Sequence, residues 1–190
     1  MLCLGFSGPS LVCRACERSL RPGDGRFAPI AAYLYEFPLD RLVQRFKFAG
    51  DLAVGRWLGH RLAERVRHHE RPDVLAAPPL SAARLRQRGF NQAHELAKVV
   101  GRDLGLPVIC RGLHRRRDTV PQSSLGRAQR RANLGGAFEC RLDLRGRRVA
   151  LVDDVFTTGA TAEAFGEALR HAGAASVVTW VIARTPEPGE

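Results

Sequence analysis

The feature that most constrains the fold is a short segment in which a strand, two carboxylates, a polar loop and a helix follow one another. Residues 149–161 read VALVDDVFTTGAT, with Asp153 and Asp154 between the apolar run and the Thr/Gly loop. A helical pattern follows over 161–172, and a second apolar run covers 176–183. Strand, helix and strand in this order predict two parallel strands joined by a crossover.

The rest of the chain continues this alternation. Helical patterns begin after Pro38, at Asp51, whose carboxylate suits an N-cap, and at Asn91. Strand patterns cover residues 30–36, 74–77, 108–110 and 148–152. We therefore predict an α/β fold with an open parallel sheet flanked by helices, and ligand binding beyond the carboxyl ends of its strands. The sequence contains no GxxxxGK[ST] phosphate loop.

Two segments differ in composition. Residues 1–26 are rich in Gly, Pro and Cys and lack a hydrophobic period, so we predict a small N-terminal appendage, with residues 27–190 forming the main domain.

A hydrophobic content of 45% in 190 residues excludes disorder as the main state. No apolar run reaches the roughly 18 to 20 residues of a membrane helix. Gly5 and Pro9 interrupt any signal peptide, and five cysteines, an odd number, fit a reducing compartment. These features predict a cytoplasmic protein without membrane insertion.

The polar loop after the acidic pair has the chemistry of a phosphate site. Where a helix begins, free backbone N–H groups, hydroxyl donors and the positive end of the helix dipole converge on an anion. Asp153 and Asp154 lie just before this loop, where carboxylates accept hydrogen bonds from vicinal sugar hydroxyls. Together the two halves suit a phosphorylated ribose. The alternative is a plain strand end and turn, with Thr161 as an N-cap.

A second polar cluster follows the strand pattern at 74–77. Arg84, Arg86 and Arg88 are predicted to lie on a loop that leads to Gly89 and the sequence FNQ. Guanidinium groups pair with phosphate oxygens through two parallel hydrogen bonds, so the cluster suits pyrophosphate. A solvated basic turn is the alternative.

Both clusters resemble known motifs. Residues 149–161 resemble the phosphoribosyl pyrophosphate (PRPP) motif of type I phosphoribosyltransferases, and RGFNQ resembles the signature of the ComF family, whose members include ComFC-like and GntX-like proteins. The first resemblance implies that Asp153 and Asp154 are the catalytic pair and hold the ribose hydroxyls, and that Mg²⁺ bridges ribose and pyrophosphate. It also implies a 5-phosphate loop made of Thr157, Thr158, Gly159, Ala160 and Thr161.

The ComF resemblance covers nearly the whole chain and implies a function. Arg84, Arg88 and Gly89 would bind pyrophosphate, and ribosyl 5-phosphate would be transferred to an unknown acceptor with release of pyrophosphate. The family is linked to DNA uptake in natural competence. A non-catalytic, PRPP-sensing or nucleic-acid-binding factor of the same fold is the alternative, with single-stranded DNA or a DNA-uptake helicase as partner.

Basic residues are concentrated in one part of the chain. The formal net charge is +11, and residues 111–148 contain eleven arginines against three carboxylates. In related transferases a flexible loop at this place closes over the site, which would exclude water. The candidate loop residues are Arg115, Arg117, Gln122, Arg130 and Asn133. An electrostatic contact with DNA or RNA phosphates is the competing explanation.

The cysteines suggest a metal site at the N-terminus. Cys13 and Cys16 form a CxxC pair, which commonly supplies half of a tetrahedral zinc site, and Cys3 is a candidate third ligand. The ComF family usually has two such pairs, and here the first is incomplete. A histidine such as His60 or His114 is an alternative ligand, and reduced thiols without metal are another alternative. We interpret Cys110 and Cys140 as packing residues, and Lys47 and residues 68–70 as solvated helix positions.

Overall fold

The computed structural model describes residues 11–23, 29–116 and 136–186. Its centre is a four-stranded sheet in which each neighbouring pair of strands is parallel. The strands lie in the order β1, β6, β5, β2. Their bounds are β1 Ile30–Leu34, β2 Val74–Ala76, β5 Arg148–Phe156 and β6 Ser176–Arg184. The predicted open parallel sheet is confirmed.

Two details of the predicted strands are corrected. The pattern at residues 108–110 gives only an isolated bridge between Val108 and Leu75, because the chain touches the edge of the sheet at one residue pair. The strand predicted to end at Val152 continues through the acidic pair to Phe156, since β6 runs alongside it and pairs as far as that residue.

Six helices accompany the sheet in the described residues, and side-chain caps define several of their starts. The Asp51 carboxylate accepts a hydrogen bond from the Val54 N–H at 3.1 Å, and Asn91 does the same for the His94 N–H at 3.3 Å. The predicted N-cap at Asp51 is therefore present, and Asn91, predicted as the start of a helix, is also an N-cap. The helices are α1 Arg14–Arg18, α2 Leu39–Phe48, α3 Leu52–Val66, α4 Ala82–Arg88, α5 Gln92–Leu104 and α6 Ala160–His171.

Apolar side chains cover both faces of the sheet. Ala150 and Val152 of β5 pack with the helices α2, α3 and α5, whereas Val149 and Leu151 pack with α6. This alternation follows from the two-residue period of a strand. A strand that is apolar on both faces needs a layer on each side, which the helices provide.

A two-stranded antiparallel sheet, which the sequence patterns did not predict, adjoins α6. It consists of β3 Leu113–Arg115 and β4 Phe138–Cys140. The Phe138 ring meets the Phe165 ring of α6 edge-on, with centroids 5.3 Å apart. The small sheet thereby extends the apolar layer on the α6 side.

The described part of the N-terminal segment packs against the main sheet. Val12 and Leu20 belong to the core on the α2–α3–α5 side, and the Leu34 N–H of β1 donates to the Arg21 carbonyl at 3.0 Å. A division at residues 26 and 27 remains a prediction. None of the helices in the described residues is long and apolar enough to cross a membrane.

Candidate functional site

The candidate site is an open cavity of about 270 Å³ at the carboxyl ends of the strands. Its polar lining comes from both clusters that the sequence singled out. The acidic pair, Thr157 and Thr161 line it together with Arg84 and Arg88. The structure therefore brings together segments that are about 70 residues apart in sequence. The lining also includes Lys47, Asn91, Gln92 and Arg115.

The Thr/Gly loop is held in a conformation that only glycine adopts easily. Gly159 caps α6 with a φ of 76°, in the left-handed region. A Cβ atom there would lie 2.6 Å from Cζ of Phe156. No side chain of the described residues caps this helix, and Thr157, Thr158 and Thr161 line a pocket next to its start.

The two carboxylates lie inside β5, and their positions follow the strand alternation. Asp154 shares the face of Ala150 and Val152, which α2 covers, and Asp153 shares the face of α6. The Asp154 N–H donates to Asp153 Oδ1 at 2.8 Å. Both side chains line the same cavity at the end of the strand.

The surroundings of Asp153 favour its protonated form. Burial raises the pKa of Asp153 to about 7, and the charge of Asp154 acts in the same direction. The Asp154 N–H and the charges of Lys47 and Arg88 oppose this rise. A ligand that brings positive charge or hydroxyl donors to Asp153 would favour its ionised form.

Lys47 contacts the acidic pair, so its interpretation as a solvated helix position was wrong. Its ammonium lies 2.9 Å from Asp154 Oδ1, and the two side chains are only 18% and 13% exposed. Lys47 stands four residues after Val43, which is fully buried. Positions four apart share a helix face, and this spacing was the available signal that Lys47 faces the protein.

The arginine cluster lies on a helix and not on a loop. Ser81 caps α4 by accepting a hydrogen bond from the Arg84 N–H at 3.3 Å, and Gly89 ends this helix with a φ of 76°. Serine is a favoured N-cap residue, so Ser81 was the available signal for a helix where a loop was predicted. Arg84 and Arg88 line the cavity, whereas Gly89 provides the left-handed turn and Arg86 is exposed.

Neighbouring side chains hold Arg88 in place. Its Nη1 donates to Gln92 Oε1 at 2.9 Å, and its guanidinium lies 5.5 Å from the centroid of the Phe48 ring. Gln92 is buried, and its amide nitrogen has no hydrogen-bond partner in the described residues. Asn91 donates to the Pro78 carbonyl at 2.9 Å. Asn91 thus holds the loop after β2, and Gln92 holds the guanidinium of Arg88.

Of the candidate loop residues, the structure describes Arg115. It lies at the end of β3, lines the cavity and places its guanidinium 5.2 Å from the centroid of the Phe138 ring. The other four candidates, Arg117, Gln122, Arg130 and Asn133, lie outside the described residues.

The N-terminal cysteines are described in part. Cys13 caps α1, where its Sγ accepts the Cys16 N–H at 3.4 Å, so both thiols lie at the start of one helix. Cys3 lies outside the described residues, and the described residues hold no cluster of three or more potential metal ligands. The alternative ligand His60 is paired with Asp103 at 2.5 Å.

The two isolated cysteines differ from each other. Cys140 packs partly buried against the core on the α6 side, as expected. Cys110 is exposed, so its interpretation as a packing residue was wrong. Its thiol donates to the Val108 carbonyl at 3.3 Å, at the place where the predicted strand is reduced to a single bridge.

Comparison with known proteins identifies the family. Residues 58–190 match the family described as Phosphoribosyl transferase domain. Competence protein F of Haemophilus influenzae is 36% identical over 159 residues, which are 79% of this chain and 69% of that protein. DNA utilization protein YhgH of Escherichia coli is 33% identical over 181 residues, covering 92% of this chain and 78% of that protein. Competence protein ComFC of Bacillus subtilis is 30% identical over 189 residues, covering 92% of this chain and 72% of that protein. The chain therefore belongs to the ComF family of proteins with a phosphoribosyltransferase domain.

Proposed function

We propose that this protein binds PRPP together with Mg²⁺ and transfers its ribosyl 5-phosphate group to an acceptor, with release of pyrophosphate. The observation that carries the proposal is the single cavity in which the acidic pair, the Thr/Gly loop and two arginines meet. Each of these groups matches one part of PRPP, and the family match supports the same ligand.

The loop and the start of α6 are suited to the 5-phosphate. Thr157, Thr158 and Thr161 line the adjoining pocket, and their hydroxyls and the backbone N–H groups of the first helical turn would donate to the phosphate. Asp153 and Asp154 would accept hydrogen bonds from the two ribose hydroxyls, because ionised carboxylates are strong acceptors. The positive φ of Gly159 lets the backbone bend closely around the phosphate.

Arg84 and Arg88 are suited to the pyrophosphate. They come from a different segment than the phosphate loop, so the two ends of PRPP would be held by two separate elements. As the bond between ribose C1 and pyrophosphate breaks, negative charge develops on the leaving oxygen, and the guanidinium groups stabilise it. The acceptor nucleophile forms the new bond to C1. With the acidic pair holding the ribose hydroxyls, catalysis would consist of positioning and charge stabilisation.

The divalent ion would enter as part of the PRPP complex. Asp154 already holds a cationic group, the ammonium of Lys47, which fits a site whose metal is carried mainly by the diphosphate. Bound Mg²⁺ would neutralise charge on the pyrophosphate as it leaves. Arg115, at the cavity, would join the loop residues that exclude water when PRPP is bound.

Calorimetric titration with PRPP and Mg²⁺ tests the assignment. We expect the double variant Asp153→Asn, Asp154→Asn to bind at least about 100-fold more weakly than wild type, since two charge-assisted hydrogen bonds are worth about 3 kcal/mol or more. The double variant Glu64→Gln, Asp143→Asn removes the same charge at exposed positions and should bind like wild type. Absent binding to wild type, or equal loss in both double variants, would refute the proposal.

A second candidate function is a role in DNA handling, with or without transfer. The observation that favours it is the names of the relatives, which are competence and DNA utilization proteins. The arginines of residues 111–148 would contact DNA phosphates. Fluorescence anisotropy with single-stranded DNA at several salt concentrations tests this role. Binding that weakens steeply with salt, without release of pyrophosphate from PRPP for any acceptor, would favour it over the enzyme.

We place both functions in the cytoplasm, because an odd number of cysteines fits a reducing compartment. We also propose zinc at Cys3, Cys13 and Cys16. Cys13 and Cys16 both lie at the start of α1, and this placement supports binding of one zinc ion by both thiols.

A further inference from the structure

The contact between Lys47 and Asp154 joins a residue outside the matched phosphoribosyltransferase domain to the acidic pair inside it. Lys47 comes from α2, which precedes residue 58, where the match to that domain begins. Its ammonium lies 2.9 Å from Asp154 Oδ1 in a cleft where both side chains are largely shielded from water. Partial burial makes such a contact stronger than an exposed ion pair of equal length.

The fold fixes the backbone of Lys47. The residue lies in the last turn of α2, whose inner face is anchored by the fully or nearly fully buried side chains of Leu42, Val43 and Phe46. The Ala49 N–H closes the helix on the Arg45 carbonyl at 3.0 Å. The direction of the Lys47 side chain toward β5 is therefore set by packing of the core.

Two adjacent carboxylates at a partly buried cleft would attract a divalent cation from solution, because oxygen ligands of this kind are those that Mg²⁺ and Mn²⁺ prefer. In this protein one of those carboxylates already pairs with a fixed positive charge. Arg88 adds a second positive charge near Asp153. A free divalent ion approaching Asp154 would have to displace the ammonium or bind beside it, and both are unfavourable.

We propose that Lys47 is a built-in counter-cation which keeps free divalent metal ions off the Asp153–Asp154 pair, so that metal enters this site only together with a diphosphate ligand. Lys47 contacts Asp154 Oδ1, the atom that a free metal ion would have to share. Lys47 is thus a positioning residue, which acts through Asp154. The second part of the proposal rests on the proposed binding of PRPP, whereas the first does not.

Electron paramagnetic resonance of Mn²⁺, without PRPP, measures the first part directly, because only the free ion gives the strong signal in solution. We expect Lys47→Met and Lys47→Gln to bind Mn²⁺ at least about tenfold more tightly than wild type, since each removes one positive charge next to Asp154. Lys47→Arg retains the charge and should behave as wild type. Tighter metal binding is a gain that damage to the fold would not produce.

Lys98→Met is the matched control. Lys98, the other lysine of the chain, also pairs with a carboxylate, with its Nζ 2.6 Å from Glu95 Oε1, but this pair lies on α5 and outside the cavity. We expect its Mn²⁺ affinity to equal that of wild type. Circular dichroism melting checks that both Lys47 variants are folded. Equal or weaker Mn²⁺ binding by the two folded neutral variants, compared with wild type, would overturn the proposal.

Adding PRPP separates this proposal from the proposed function. If PRPP recruits Mn²⁺ to wild type and the neutral variants also bind Mn²⁺ alone, both proposals are supported. If the neutral variants gain Mn²⁺ binding but PRPP recruits none to wild type, the counter-cation role stands and the PRPP assignment fails. If PRPP recruits Mn²⁺ to wild type but the neutral variants gain nothing without it, the role of Lys47 is refuted and the PRPP assignment stands.

Discussion

Replacing Gly159 by alanine tests the turn that joins β5 to α6. The φ of 76° puts this residue in the left-handed region, which costs a non-glycine residue about 1 to 2 kcal/mol. The new Cβ would also meet Cζ of Phe156 at 2.6 Å, so the ring must move. Overpacking of this kind typically costs a further 1 to 3 kcal/mol, or about 2 to 5 kcal/mol in all.

Gly146→Ala is the matched control for this change. Gly146 has a similar φ of 73°, but a Cβ there would meet no atom within 4 Å. We therefore expect the control to lose only the conformational part, about 1 to 2 kcal/mol. The difference between the two variants isolates the contact with the Phe156 ring.

Urea unfolding and calorimetric melting measure both variants. For a chain of this length each kcal/mol lowers the melting temperature by about 2 to 4 °C, so Gly159→Ala should melt several degrees below Gly146→Ala. We also expect Gly159→Ala to weaken PRPP binding, because the displaced ring and loop face the phosphate pocket. Equal destabilisation of the two variants would refute the argument that the turn is closed against Phe156.

Three other predictions concern single positions. Asp153→Asn should stabilise the protein relative to wild type, increasingly between about pH 4 and pH 7. Folded Asp153 keeps its proton to about pH 7, whereas the unfolded chain loses it at the ordinary pKa, so wild type loses stability as pH rises through this window. Unfolding free energies of the two proteins that differ equally at all pH values would contradict this prediction. Gln92→Met should leave the free energy of unfolding nearly unchanged, because it removes a buried amide nitrogen without a partner in the described part of the chain together with the hydrogen bond from Arg88. It should weaken binding of inorganic pyrophosphate about five- to tenfold, because Arg88 loses its acceptor. Calorimetry that finds equal affinity would exclude this positioning role. Protein purified without chelators should contain about one zinc per chain, and the double variant Cys13→Ser, Cys16→Ser should lose it; elemental analysis near zero for wild type would exclude the zinc site.

Local patterns predicted the sheet and most helices because the signals lie close together in sequence. The apolar runs of β5 and β6, the Asp51 cap, the helix start at Asn91 and the loop before α6 each depend on neighbouring residues. The Thr/Gly loop and the acidic pair could be assigned to one site because they belong to a single segment. In the structure both line the same cavity, and their ligand stays a prediction.

Contacts between distant segments could not be predicted in this way. Lys47 and Asp154 are more than 100 residues apart, and only the packing of α2 on the sheet brings them together. The strands β3 and β4 have three residues each, too few for a recognisable period, and they pair across a long intervening segment. The helical nature of α4 was missed for another reason, since its arginines suggested a ligand-binding loop and obscured the Ser81 cap.

The position of β6 within the sheet affects how the protein can be assembled during synthesis. This strand, the last of six in the described residues, lies between β1 and β5 and is the strand with which β1 pairs. Until residues 176–184 have been made, β1 can pair only with residues 21–23 at its other edge, and within the four-stranded sheet only β2 and β5 can pair. Folding that depends on such distant contacts is slow, and unpaired apolar strands are prone to aggregate. The apolar β1 therefore lacks its partner in the four-stranded sheet until β6 has been made, and the acidic pair acquires its neighbour Val181 at the same stage.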